Sequence, residues 1–303
     1  MTVLGAGTGG LTWDLGQDVR ELLSQHFMVN AFRAGTIVAV LAGAIGWFMV
    51  LRRQTFAGHT LAVISFPGAA GAILAGVSAS FGYFGAAIAG ALVIAAVPRS
   101  TSGQARSQES AVIGTVQAFA LACGALFVSL YGGFLNSLVG LLFGTFLGIS
   151  DTQVTTLLVV ATAALVVLGA IARPLFFATV DPDVARARGV PVRLVSTVFL
   201  VLLGGAAAEV SQVTGALLVF ALLVMPAAAA QRLTARPGLG VGLTVVFGIV
   251  TVWSGLGMAY FSVYPVGFFV TTVGFAIYVL AWAWALVAAR LARRPMLEAA
   301  VVR

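Results

Sequence analysis

The chain reads as an all-α, polytopic membrane protein of about eight to nine transmembrane helices, with an N-terminal amphipathic helix and a short helix on the cytoplasmic face. Three observations predict this. Of 303 residues, 61% are apolar and only 8% charged, whereas soluble domains run at about 45–50% and about 25%. The mean hydropathy of +1.09 agrees. The charges are also clustered. Gln54–Pro98, Ser110–Ser150, Thr152–Ala172, Val210–Gln231 and Pro237–Ala289 hold no Asp, Glu or Arg, and about 20 apolar residues suffice to cross a hydrocarbon core. A soluble enzyme of this length is excluded.

In chain order, Met1–Gly16 is rich in Gly and Thr and lacks the basic and apolar regions of a cleaved signal peptide. Gln17–Arg33 follows as a short amphipathic helix. Val19, Leu22, Leu23, Phe27 and Met28 lie on one side of it, with Asp18, Glu21 and Gln25 opposite, as an interfacial helix requires. Residues 1–33 are therefore expected outside the membrane domain. Spans are predicted at 34–51, 57–78, 82–97, 111–131, 153–172, 194–210, 213–231, 239–260 and 266–289. Residues 34–289 then form the transmembrane domain and 290–303 a cytoplasmic tail. Gly132–Ser150 is apolar but glycine-rich, and it reads as a re-entrant or packed short piece. The tight 209–214 turn is the weak point in a count of nine.

Arginine placement sets the orientation, because short loops rich in Arg face the cytoplasm. Arg52 and Arg53, Arg99 and Arg106, the 173–193 segment, Arg232 and Arg236, and Arg290 with Arg293 and Arg294 all fall on one side of a nine-span chain. The N-terminus is then outside and the C-terminus cytoplasmic. Small residues are dense within the spans, as in Gly85–Ala96 and Ala227–Ala230. They permit close backbone approach in lipid, where packing rather than hydrophobic force drives association.

Two absences narrow the function. All 16 basic residues are Arg, and a Walker A loop needs a Lys to reach nucleotide phosphates, so the chain is not itself a P-loop ATPase. Cys123 is the one cysteine, which forbids an internal disulfide or a cysteine-built metal site. The net charge of +7 comes from arginines lying between spans, so it marks topology and not a nucleic-acid stripe. No intramembrane His-Glu-x-x-His helix or Ser/His pair is present. No catalytic residue and no bound cofactor are expected.

The cytoplasmic connection Arg173–Arg193 contains Asp181-Pro182-Asp183-Val184-Ala185-Arg186-Ala187-Arg188-Gly189-Val190-Pro191. It writes out a helix with its stops: an Asp cap, Pro at the first position, acids in the first turn, arginines near the end, then Gly and Pro. A connector with no partner has little need of such definition, and a docking element does.

This loop resembles the coupling-helix loop of the ABC-3 family, the membrane permeases of bacterial zinc, manganese and iron ABC importers. Phe48–Gly58 resembles the end of that family's first span. Gly215–Ala227 resembles its Gly-x-Leu-Leu-Val-x-Ala-Leu-Leu-x-x-Pro-Ala segment. The similarity runs in order from about residue 24 to 288. It implies a permease in the bacterial cytoplasmic membrane, usually of eight spans and paired with a second copy. Its other partners would be a cytosolic ATP-binding subunit, docked through Asp181, Pro182, Ala185, Arg186, Arg188 and Gly189, and an extracytoplasmic metal-binding protein.

One motif departs from the family. Its second span usually reads Gly-Asp-x-Leu-x-His-Ala-x-x-Pro-Gly, with Asp and His as ligands for the transported ion. Here Gly58, Leu61, Pro67 and Gly68 are kept, but Asp is replaced by His59 and His by Val63. His59 remains a competent ligand and Val63 does not. A zinc site wants three or four donors, so His59 needs a second copy across a two-fold axis or Glu209, an ionisable residue near the outer end of its span. Neutral imidazole favours zinc over manganese. His59 and Glu209 are the expected metal residues. The rival readings are an ABC permease for a non-metal cargo and a secondary transporter, which would show membrane-embedded carboxylates as ion sites.

Overall fold

The structure, a computed structural model, describes residues 15–96, 103–131, 144, 146–216 and 218–301. Among these the protein is all-helical, and eight helices are long and apolar enough to cross a membrane. The first two are α1 (Leu15–Ser24) and α2 (His26–Leu51). The amphipathic helix expected over Gln17–Arg33 is thus two helices, separated at Gln25, whose φ of −91° and ψ of 116° are extended. The helix that carries the first span begins at His26, eight residues before Ala34. Its polar outer turns are tolerated because they have partners: Asn30 Nδ2 donates to the Ile149 carbonyl at 3.2 Å, and the His26 Nε2 lies 3.0 Å from Asp151 Oδ2.

Three long helices follow: α3 (Thr55–Leu74), α4 (Ala79–Ala96) and α5 (Gly103–Leu130). Of the glycine-rich segment 132–150, residues 132–143 and 145 lie outside the described residues. The remainder shows one 3₁₀ turn at Phe146–Gly148 with Ile149 buried behind it. α6 (Asp151–Val180) starts at Ser150, whose side chain accepts from the Gln153 amide. It continues eight residues past the expected end at 172, so the connection after it is shorter than Arg173–Arg193. α7 (Pro182–Ala187) is the short helix of that connection, and α8 (Val192–Thr214) returns through the bundle.

The seventh expected span, 213–231, is not a continuous helix. α8 ends at Gly215, whose φ of 80° with ψ of 154° is open to glycine alone. The chain then forms α9 (Val219–Leu223) and α10 (Met225–Leu233), divided at Val224 just before Pro226. Proline has no N–H to donate and its ring crowds the preceding turn. Broken backbone at membrane depth must be buried in protein, and here it is. A Cβ at Gly46 would meet the Leu223 carbonyl at 2.3 Å, and Ala221, Leu222 and Leu223 are all buried. α11 (Pro237–Tyr260) and α12 (Val266–Val301) complete the chain. α12 runs unbroken past residue 290, so no element boundary separates the expected tail.

The long helices alternate in direction. α2 and α11 are antiparallel, with Gly35 against Val252, Gly43 against Val245 and Gly240 against Trp47. Gln231 Nε2 donates to the Trp47 carbonyl, so α10 has carried the chain back to the end where α2 finishes. One end therefore gathers Arg52, Arg53, Arg186, Arg188, Arg193, Arg232 and Arg236. The eight long helices and the broken α9–α10 segment together make the alternation that a nine-span reading needs. At the arginine-rich end Arg52 ties three helices: its guanidinium donates to Thr179 Oγ1 at 2.9 Å and Ser196 Oγ at 2.8 Å, and stands 5.4 Å from the Phe199 ring centroid.

Helices approach closely wherever glycine faces a neighbour. A Cβ on Gly82 of α4 would lie 2.1 Å from the Gly68 carbonyl oxygen of α3, and one on Gly204 of α8 would lie 2.8 Å from the Ala87 oxygen of α4. α4 is thus clasped between α3 and α8. α2 lies at the centre, with its small residues from Ala31 to Ala44 largely buried.

Candidate functional site

His59 lies four residues into α3, about 6 Å above its arginine-rich end at 1.5 Å per residue. The ring is half-buried and meets the edge of Phe220, with centroids 5.0 Å apart and planes at 72°. Its Nδ1 is buried without a hydrogen-bond partner among the described residues. Phe220 belongs to α9, so the broken segment itself forms the surface opposite His59. Val63, one turn further along α3, is buried and apolar. The adjacent Thr60 donates to Gln117 Oε1 of α5 at 2.9 Å.

Glu209 is completely buried on α8, and neither carboxylate oxygen has a hydrogen-bond partner among the described residues. Leu203 of α8 packs beside Gly58 of α3, and Glu209 is six residues further along, about 9 Å in axial rise. His59 and Glu209 therefore occupy different levels. No group of three or more His, Cys, Asp or Glu stands together among the described residues. Gln212, one turn beyond Glu209, accepts from Ser80 Oγ at 2.9 Å, and its own buried Nε2 has no hydrogen-bond partner among the described residues. The sequence reading missed Gln212, although a polar residue inside an uncharged run was the available signal.

At the arginine-rich end, α7 has the geometry its sequence implies. Asp181 accepts from the Asp183 and Val184 amides at 3.2 and 3.0 Å, and Arg186 donates to Asp183 at 2.6 Å. Gly189, at φ 81°, ends the helix. The Val190 amide reaches the Ala185 carbonyl at 3.0 Å and the Gly189 amide reaches that of Arg186 at 2.9 Å, the bonds of a Schellman stop. Ala185 is fully buried against the bundle while Val184 stays exposed. A groove of about 710 Å³ lined by Arg186, Gly189, Val190, Pro191 and Arg193 lies alongside.

Among the described residues, a bundle of eight helices long and apolar enough to cross a membrane, with a broken inner segment and one capped loop helix, is the architecture of a multi-pass membrane protein. Residues 24–285 match the ABC 3 transport family, and the chain belongs to that family. It is 31% identical over 243 residues to the manganese transport system membrane protein MntC of Halalkalibacterium halodurans, covering 80% of this chain and 81% of that one. It is 32% identical over 249 residues to the chelated iron transport system membrane protein YfeC of Yersinia pestis, covering 80% and 82%. The fold is similar to PsaBC from Streptococcus pneumoniae, solved in complex with Fab, at a TM-score of 0.79 and 24% identity over 88% of this chain and 95% of that one. The protein is a multi-pass protein of the bacterial cytoplasmic membrane.

Proposed function

We propose that the chain is the membrane-spanning subunit of an ABC importer for a divalent metal ion, zinc or manganese. It works as a homodimer with a separate cytosolic ATP-binding subunit docked on Asp181–Pro191, and receives its cargo from an extracytoplasmic metal-binding protein. The observation that carries this reading is its similarity, over about four-fifths of its length, to proteins named for manganese and chelated iron transport. The capped α7, anchored by Ala185 beside an arginine-lined groove, supports the docking assignment.

Along the path, His59 and Glu209 act as separate stations, at most one ligand each per copy. Few ligands suit transit, since a conducting site must release its ion as well as take it. Imidazole at position 59 favours zinc over manganese. The test is uptake of radioactive zinc and manganese by cells carrying the parent, His59→Ala, His59→Asp or Glu209→Gln permease at matched expression. Loss of zinc uptake in His59→Ala, with a shift toward manganese in His59→Asp, is expected. Parental uptake by all three variants would remove both residues from the path. In the same cells, a mass measurement of the complex in mild detergent should give two permease copies per two ATP-binding subunits.

The absence of a three-ligand cluster among the described residues favours one second reading, a cargo that needs no protein ligands, such as a metal already wrapped in a chelator or a non-metal solute. Uptake of the free ion that survives loss of both His59 and Glu209, and competition by a chelated form, would select it.

A further inference from the structure

We propose that the slot between α1, α2, α6 and α11 is a binding site for one anionic glycerophospholipid, with its phosphate on Arg33 and an acyl chain along the slot. The slot measures about 920 Å³. Its floor is the α2 stripe Val29, Phe32, Arg33, Thr36 and Ile37, which has the i, i+3, i+4, i+7, i+8 spacing of a helix face built to be covered. α6 supplies Leu158 to one wall and α11 supplies Trp253 and Gly257 to the other, while Leu22 and Leu23 of α1 close the outer end. No helix among the described residues covers the stripe. Leu23, Leu158 and Trp253 remain 52–54% exposed.

Arg33 identifies the occupant. The apolar run from Ala34 to Leu51 is about 27 Å long at 1.5 Å per residue, close to the roughly 30 Å of a hydrocarbon core. Arg52 and Arg53 mark one edge of that layer, so Arg33 stands at the other, the level of the lipid phosphates. It is exposed and makes no ion pair among the described residues. Asp151, the acid that feels its charge, is already bonded to His26. An exposed guanidinium beside an apolar stripe at this depth is placed to meet a lipid anion, and phosphate matches its fork of donors. The wall beside it needs nothing polar: Trp253 Nε1 is satisfied by Thr36 Oγ1 at 2.9 Å, and its indole packs edge-on to Phe32 at 5.6 Å. What remains is a cation at headgroup depth midway along an apolar slot, with Thr36 and Ile37 on its membrane side to meet an acyl chain and Leu22 and Leu23 on its outer side.

The test uses the full-length permease purified with its ATP-binding partner in mild detergent. Phosphatidylglycerol or phosphatidylcholine is titrated in, and bound lipid is counted by native mass spectrometry. About one tightly held phosphatidylglycerol per permease is expected, and phosphatidylcholine should bind more weakly. Arg33→Gln should weaken phosphatidylglycerol by about tenfold or more, as loss of a charge-assisted bond implies, while Arg33→Lys keeps most of the binding. A Cβ at Gly257 meets nothing within 4 Å, so Gly257→Leu should fill the slot and expel the lipid with the far-ultraviolet circular dichroism unchanged. The proposal fails if the two lipids bind alike in the parent, or if Gly257→Leu binds phosphatidylglycerol like the parent. It also fails if cysteines placed at Ser254 crosslink two permease copies through the slot, which would make this face an interface between copies.

Discussion

Substituting Gly82 with alanine should separate helices that the sequence leaves no other way to join. Its added methyl would sit 2.1 Å from the Gly68 carbonyl oxygen, about 1.3 Å short of the 3.4 Å at which ordinary contact begins. The obstacle is backbone, which cannot rotate aside. Nor can α4 retreat, because its other face lies on α8, where a Cβ on Gly204 would already be 2.8 Å from the Ala87 oxygen. Overpacking of a tight interior costs about 1–3 kcal/mol, and with three helices to spread the upper end applies. Gly85, one turn along the same helix, has nothing within 4 Å of its absent Cβ. There alanine should gain up to about 1 kcal/mol from helix propensity. Unfolding in mixed micelles of mild detergent and dodecyl sulfate, followed by circular dichroism, should therefore separate the two variants by about 3–4 kcal/mol. Equal stabilities for Gly82→Ala and Gly85→Ala would refute the close-approach argument.

Gly189→Val should uncouple ATP hydrolysis from uptake, because φ 81° suits glycine or asparagine and not a β-branched residue; Gly189→Asn should stay coupled, as paired ATPase and uptake measurements would tell. Asp181→Ala should cost about 1 kcal/mol of local helix stability by loss of its two cap bonds, visible as faster amide exchange over residues 183–187 with the bundle unaffected. Arg52→Ala should destabilise the fold by about 2–3 kcal/mol through its bonds to Thr179 and Ser196, and Arg52→Lys by less, in the same unfolding assay. Glu209→Leu should be neutral or more stable toward unfolding, since it removes a buried carboxyl with no partner among the described residues, while abolishing uptake; a clear loss of stability would mean that Glu209 holds the fold.

Much of the bundle was legible because charges are so few that each gap between them outlines a helix. α3, α4, α8, α11 and the body of α12 fall where the uncharged runs and arginines put them. The cap of α7 was legible residue by residue, since Asp181, Pro182 and Gly189 each have a local reason to be where they are. The break in 213–231 was hidden because every residue from Val210 to Gln231 is uncharged, so hydropathy runs straight through it; only Gly215 and Pro226 signalled it. The start of α2 was hidden for the opposite reason. His26, Asn30 and Arg33 look like an end, but partners on Ile149 and Asp151, more than a hundred residues away, allow His26 and Asn30 to be helical. That His59 and Glu209 are ionisable residues within otherwise apolar helices was readable, whereas their separation in level depends on how α3 and α8 slide past each other, which no local pattern encodes.

The central position of α2 has a consequence for how the protein is made. α2 is the first long helix to be synthesised, yet the notches at Gly35 and Gly43 are filled by Val252 and Val245 of α11. Thr36 meets Trp253 across 217 residues of sequence. At about 5–20 residues per second, α2 waits in the bilayer for roughly 10–40 s before its partner emerges. During that time its small-residue stripe can pair only with lipid or with another half-made chain. A messenger cut short before Pro237 would leave that stripe open, so roughly the last fifth of the chain completes the packing of its first long helix.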